Sequence, residues 1–155
     1  MLEFTIEKAL EGDIDTNDHY LYLYRDGSTV LYIGRSSSPL QRLYEHLGKG
    51  DFRDIPSHVG KTIIDNLPLS LSWSLLLLTL ADCEPLVRLH RPEYHEWFLQ
   101  QMKHRLAREA SEVAEESLID HYQPCLNIAG NRALHFLPEK YRKLPPPSEC
   151  WPNKE

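Results

Sequence analysis

Arg42 and His46 stand four residues apart in a segment whose apolar residues, Leu40, Leu43, Tyr44 and Leu47, recur at helical spacing. A helix there aims both side chains at one place. The Arg42 guanidinium is a planar fork of donors suited to phosphate oxygens. Ten residues before it, Tyr32 closes an aromatic, β-branched run. A tyrosine hydroxyl can relay or accept the proton of a water, provided that neighbouring cations lower its pKa from about 10. Further on, Glu112, Glu115 and Glu116 crowd one acidic turn, and spacing alone does not choose among them. Hydrolysis of a phosphodiester needs a nucleophilic water, neutralised charge on the phosphoryl oxygens and a stabilised leaving oxygen. These residue types could supply all three. Taken singly, each has a plainer reading. Tyr32 reads as a half-buried sheet aromatic, Arg42 and His46 as a solvated helix face linked to Glu45, and Asn127 as a cap or turn residue. His90, His95, His104 and His121 lack the paired spacing that would compel a metal site.

The elements that must position these residues are legible as patterns. Tyr20-Leu21-Tyr22-Leu23-Tyr24 and Thr29-Val30-Leu31-Tyr32-Ile33 flank Arg25-Asp26-Gly27-Ser28, a hairpin signal. Residues opposite one another in an antiparallel pair share a face, so the loop decides which tyrosine faces Tyr32. A two-residue Asp26-Gly27 turn pairs Leu21 with Tyr32. A loop of Asp26-Gly27-Ser28 pairs Tyr22, and one of Arg25-Asp26-Gly27 pairs Tyr20. Ser38 and Pro39 read as N-cap and first residue of the Arg42 helix, which ends at Gly48. A loop over Asp51–Pro56 leads to a second helix near Ser57–Asn66. Leu67–Leu80 then reads as a buried strand with Leu69, Leu71, Trp73, Leu75 and Leu77 on one face. After Pro85, the Pro92–Tyr122 stretch predicts one long helix or two, with Trp97, Phe98, Met102, Leu106, Val113, Leu118 and Ile119 apolar, closed by Pro124 and Gly130-Asn131. Past Leu137, Pro138, Pro145-Pro146-Pro147 and Pro152 predict an extended arm. Strand order and helices together predict an α+β domain with a small three-stranded, mainly antiparallel sheet flanked by helices. Its expected organisation is an acidic segment over residues 1–18, a domain over 19–132 and a Pro-rich arm over 133–155.

At 155 residues the chain fits one domain. Three cysteines, Cys83, Cys125 and Cys150, without C-x-x-C spacing, argue against a disulfide framework or a structural zinc site. Met1 to Asp15 carry acids where a secretory leader has a basic start and an apolar run, and Leu67–Leu80 is too short to span a bilayer. A cytoplasmic protein with no membrane association is the expectation. The formal charge of −6 is unexpected for a partner of polyanions. However, Glu3, Glu7, Glu11, Asp13, Asp15 and Asp18 concentrate that charge in the first 18 residues, opposed by Lys8 alone. The remaining body is near neutral and free to carry a local basic face.

In order along the chain, Tyr32-Ile33-Gly34, Arg42, His46, Glu115-Glu116-Ser117-Leu118-Ile119 and Pro124-Cys125-Leu126-Asn127 resemble the motifs of the GIY-YIG nuclease family. The match spans about Tyr20 to Asn131. The first motif is degenerate: His19-Tyr20-Leu21-Tyr22 stands where the family has Gly-Ile-Tyr, and the ten-residue spacing to Tyr32 favours Tyr22 as its tyrosine. The resemblance implies a stand-alone GIY-YIG-like endonuclease that cuts phosphodiester bonds, chiefly of DNA. Tyr22, Tyr32, Arg42, His46 and Glu115 would be catalytic, and Glu115 the single carboxylate holding Mg²⁺ or Mn²⁺. Gly34, Arg35 and Asn127 would contact substrate. No appended DNA-reading module is recognisable, so specificity would fall to a protein partner, a homodimer or substrate shape. The competing expectation is an inactive module of the same fold that binds nucleic acid or a protein.

Overall fold

The structure, a computed structural model, describes residues 1–49, 55–127 and 137–142. The tyrosine-rich hairpin forms as expected, with β2 over Leu21–Asp26 and β3 over Thr29–Arg35. The turn is a two-residue one, displaced by one residue from the Asp26-Gly27 loop considered. Asp26 pairs with Thr29 across Gly27-Ser28, and Gly27 takes the left-handed φ of +56° that such turns require. A bulge follows. Arg25 lies opposite Val30 but Tyr24 opposite Tyr32, so Leu31 is the extra residue on β3. Tyr32 therefore faces Tyr24, and Tyr22 faces Gly34. The expected Tyr22–Tyr32 pairing is corrected to a diagonal one on the same face.

The sheet has four antiparallel strands in the order β1-β4-β2-β3, not three. The extra strand, β1 (Leu2–Thr5), comes from the acidic start, which pairs with β4 and then turns into α1 (Ile6–Leu10). Its acids stay exposed while Ile6 and Ala9 are fully buried. The predicted long strand is also shorter. Only Ser74–Leu78 form β4, and Leu69–Ser72 wind into a 3-10 turn with Leu69 exposed. As a central strand covered on both faces, β4 buries Leu75 to Leu78 without alternation.

Helices cover both faces. On one, α1, α2 (Pro39–His46) and α3 (His58–Asp65) pack against Tyr22, Tyr24, Leu75 and Leu77 through Leu43, Val59 and Ile63. On the other, α4 (Leu80–His90), α5 (His95–Lys103) and α6 (Ala107–Tyr122) cover Leu21, Leu23, Ile33, Leu76 and Leu78. Helix α4 was not anticipated, since Pro85 reads as a breaker. It forms because Thr79 and Asp82 make a reciprocal capping box, and Pro85 sits within it. The stretch after Pro92 is two helices, broken at Arg105 in the left-handed region (φ 57°). Leu106, expected on the apolar face, is exposed. The start of the arm is docked. Tyr141 is buried edge-on against Trp73, and its hydroxyl donates to Asp26 at 2.8 Å. The loop from Asp51, the Gly130-Asn131 pair, Cys150 and the later prolines lie outside the described residues. No described helix is long and apolar enough to cross a membrane.

Candidate active site

Strand β3 is an edge of the sheet, and its free side is met by the segment after α6. The Leu126 N–H donates to the Leu31 carbonyl at 2.8 Å. The Asn127 side chain then repeats the pairing a strand would make: its Oδ1 accepts from the Ile33 N–H at 2.8 Å and its Nδ2 donates to the Ile33 carbonyl at 2.7 Å. Asn127, expected to contact substrate, is thus engaged by the strand. Gly34 also has a packing cause. A Cβ there would lie 2.4 Å from the Tyr22 ring, so only glycine lets that ring cross β3.

Tyr22 is fully buried, and its hydroxyl lies 3.0 Å from His46 Nε2. His46 ends α2, as its spacing from Arg42 predicts, but it is 3% exposed and lies behind Tyr22 rather than toward solvent. Its other nitrogen is 2.7 Å from Ser57 Oγ. Ser57, the N-cap of α3, accepts from the Gly60 N–H at 3.1 Å and reaches the His46 carbonyl at 3.5 Å. In the Nδ1–H tautomer, Oγ accepts from that N–H. Nε2 is then left to accept the Tyr22 proton. Gly60 makes the arrangement possible, because a Cβ there would lie 1.6 Å from the His46 carbonyl oxygen. Sequence reading missed Ser57 and His58. The Ser57-x-x-Gly60 cap was visible, but its contact with α2 depends on tertiary packing.

Tyr32 stands in front of this chain, half-buried, with its ring 6.1 Å from Tyr22, 5.4 Å from His46 and 6.4 Å from His58. His58 Nε2 donates to the Leu126 carbonyl at 2.8 Å. Arg42 carries both its expected surface link, 2.8 Å to Glu45, and a hydrogen bond to Tyr22. Glu115 reaches the site from α6 around the β3 edge, where Arg35 Nε lies 3.8 Å from its Oε1. Its charge is felt by both tyrosines.

These surroundings set the ionisation. Burial raises the pKa of Tyr22 and Tyr32, Glu115 raises both further, and Arg42 only partly opposes. The expected lowering of tyrosine pKa by cations is therefore corrected: burial wins. Glu115 itself is raised, first by burial and then by Glu112 and Glu116, against the lowering by Arg35. It is a hard oxygen donor short of positive charge. Among the described residues no group of three or more His, Cys, Asp or Glu could hold a metal. A site built on Glu115 fits a hard divalent ion only with water and substrate oxygens completing the shell. Elsewhere, His90 pairs with His121 at 3.0 Å and His95 with Glu84 at 2.6 Å. Cys83 is buried, its thiol pushed up to about 12 by desolvation.

Tyr22, Tyr32, Arg42, His46 and Glu115 thus come from β2, β3, α2 and α6 to one region at the sheet edge. Compared with protein-family models, with curated proteins and with solved structures, the chain matches none.

Proposed function

We propose that this chain is a GIY-YIG-type endonuclease that hydrolyses phosphodiester bonds of DNA with one divalent ion at Glu115. The observation that carries this reading is the Tyr22–His46 hydrogen bond, with the Tyr32 ring packed against both side chains and the charges of Arg42 and Glu115 felt at the two tyrosines. In the Nδ1–H tautomer of His46, Tyr22 donates to Nε2 at 3.0 Å and Tyr32 stands beside it, so a proton that reaches Tyr22 has a defined next stop. A water attacking phosphorus loses its proton to the Tyr32 oxygen. Tyr32 passes its own proton to Tyr22, and Tyr22 passes its own to His46 Nε2. No phenolate need be stored, which agrees with the raised pKa of both phenols. Arg42 sets positive charge where the phosphoryl oxygens gain negative charge. Mg²⁺ or Mn²⁺ at Glu115 would supply further charge stabilisation at the phosphoryl group. Arg35, ion-paired with Glu115 here, is freed for substrate phosphate when a cation takes its place.

The test is cleavage of supercoiled plasmid and of labelled oligonucleotides with Mg²⁺, with Mn²⁺ and with chelator, beside Glu115→Ala. Metal-dependent cutting that drops at least about 100-fold in the variant is expected, the size of loss typical for a principal electrostatic group. Equal cutting by parent and variant sinks the assignment. No cutting by either leaves the fold as a binding module.

A further inference from the structure

Beyond the catalytic line lies a polar groove that meets the mechanism only at Arg35. Next to Arg35 is a hollow of about 420 Å³ lined by Tyr20, Ser36, Ser37, Ala107, Arg108 and Ser111. A second hollow of about 310 Å³ shares Tyr20 and Ala107 with it, and continues along Thr79, Leu80, Ala81, Met102 and Arg105, with Asp18 at its side. The two form one track that begins at the partner of Glu115 and runs away from the reacting centre. Tyr20 is fixed as the divider, because its carbonyl accepts from the Ser36 N–H at 2.9 Å.

The charge of this track opposes that of the whole chain. Arg105 and Arg108, which line it, stand three residues apart at the α5–α6 junction, and neither forms an ion pair among the described residues. Arg105 occupies a left-handed backbone position (φ 57°) where glycine or asparagine would be at ease. In a chain of net charge −6 these exposed arginines are the local basic face that a polyanion requires. The amides of the first turn of α6, which lacks a side-chain cap, add to it.

We infer that this groove holds the nucleic-acid strand next to the scissile phosphate, with the flanking phosphate at Arg108 and the Ser36, Ser37 and Ser111 hydroxyls, and the adjoining unpaired nucleotide past Tyr20. The two hollows differ in a way that assigns their contents. The near one has arginines and hydroxyls and no acid, which suits a phosphate. The far one has an apolar wall of Leu80, Ala81 and Met102 beside Tyr20, with Asp18, Thr79 and Arg105 as hydrogen-bonding groups, which suits a base face and its edges. A base that enters such a hollow is out of its duplex. The substrate class is therefore single-stranded or branched DNA, or duplex with an unpaired tail. The identity of the ligand rests on the nuclease reading, but occupancy of the groove is measurable without cleavage.

The experiment is fluorescence anisotropy of a labelled oligonucleotide with the full chain in chelator. It uses a single strand, a tailed duplex and a blunt duplex over a series of salt concentrations. The parent is expected to bind the single strand and the tail more tightly than the blunt duplex. Arg105→Glu and Arg108→Glu should each weaken binding about tenfold or more, and each charge removed should lower the salt slope by about one. Their melting temperatures should match the parent, since both side chains are exposed. Three results each overturn the groove: unchanged affinity and slope in both variants, no preference for unpaired strand, or no binding by the parent. Cleavage by the parent with KM unaltered in both variants overturns the groove but leaves the nuclease standing. Groove-dependent binding without metal-dependent cleavage does the reverse.

Discussion

Tyr22 is a hydrogen-bonding group deep in an aromatic cluster, and burial holds its hydroxyl in the protonated form. Replacing it by phenylalanine keeps the ring that lies over Gly34 and removes only the proton that His46 Nε2 accepts. Cleavage should fall by about 10²–10⁴-fold with KM little changed, and stability by about 1 kcal/mol because a buried hydrogen bond is lost. Single-turnover kinetics and urea melts measure the two losses separately. Glu115 makes a second prediction, with opposite signs for stability and rate. Its native pKa is raised above that of the unfolded chain, so the native state holds the proton more tightly. Stability should therefore rise as pH falls from neutrality through the native pKa, and stop rising below the unfolded value. Cleavage, which needs the ionised carboxylate, should decline over the same window. Glu115→Gln should remove the stability trend, read by melts at several pH values. A stability curve of the ordinary carboxylate sign would count against the raised pKa. Tyr22, Tyr32, Arg42, His46 and Glu115 stood out in the sequence as candidates, but for unequal reasons. Arg42 and His46 follow from helical spacing. Glu115 stood out from Glu112 and Glu116 only by resemblance, because three carboxylates in one turn look alike until a strand edge selects one. The direction in which His46 faces was not legible, since it depends on Ser57 from a separate helix.

At the scale of elements, the β3 edge connects the fold to its site. Asn127 closes that edge with two hydrogen bonds to Ile33, one residue from both Tyr32 and Gly34. Asn127→Ala should destabilise the chain by about 1–3 kcal/mol, as two backbone groups lose their partners. Activity per folded molecule at low temperature should change far less than with Tyr22→Phe. Chemical melts and activity at 10 °C or so, well below the transition where ΔG varies little, decide between a strand cap and a substrate contact. A loss of activity with unchanged stability would restore the substrate role. The hairpin and helices α2 and α3 were readable from Asp-Gly, Pro39, Ser57 and helical periodicity. The register was not, because the extra residue at Leu31 leaves no mark in a run of uniformly strand-forming side chains. Strand β4 was overextended for a related reason. Apolar residues at alternate positions before Trp73 imitate a strand, while true burial on both faces abolishes alternation after it. Helix α4 was hidden by Pro85 although its Thr79–Asp82 box was in plain view.

For the whole molecule, the α+β class and antiparallel sheet follow from the pattern of runs, whereas the role of the first ten residues does not. Their charge reads as a solvated lead-in, yet Ile6 and Ala9 sit in the same core as Tyr22 and Leu43. Deleting residues 1–10 should expose β4, uncover that core and unfold the domain. Loss of the cooperative far-UV circular dichroism transition would show it, and a truncated chain with parental melting would refute it. Net charge is likewise a poor guide to partners here, since most of the N-terminal acids stand apart from Arg105 and Arg108 in the sequence. The closure of the sheet margins bears finally on how copies of this molecule meet. On one side a neighbour offering a strand finds the Leu31 carbonyl and both Ile33 backbone groups already taken. On the other it finds only the four residues of β1, with exposed Glu3 held by Arg25 at 3.0 Å. Growth of a shared sheet from chain to chain is thereby discouraged at both ends. Copies of the molecule can therefore crowd together without either margin templating a shared sheet.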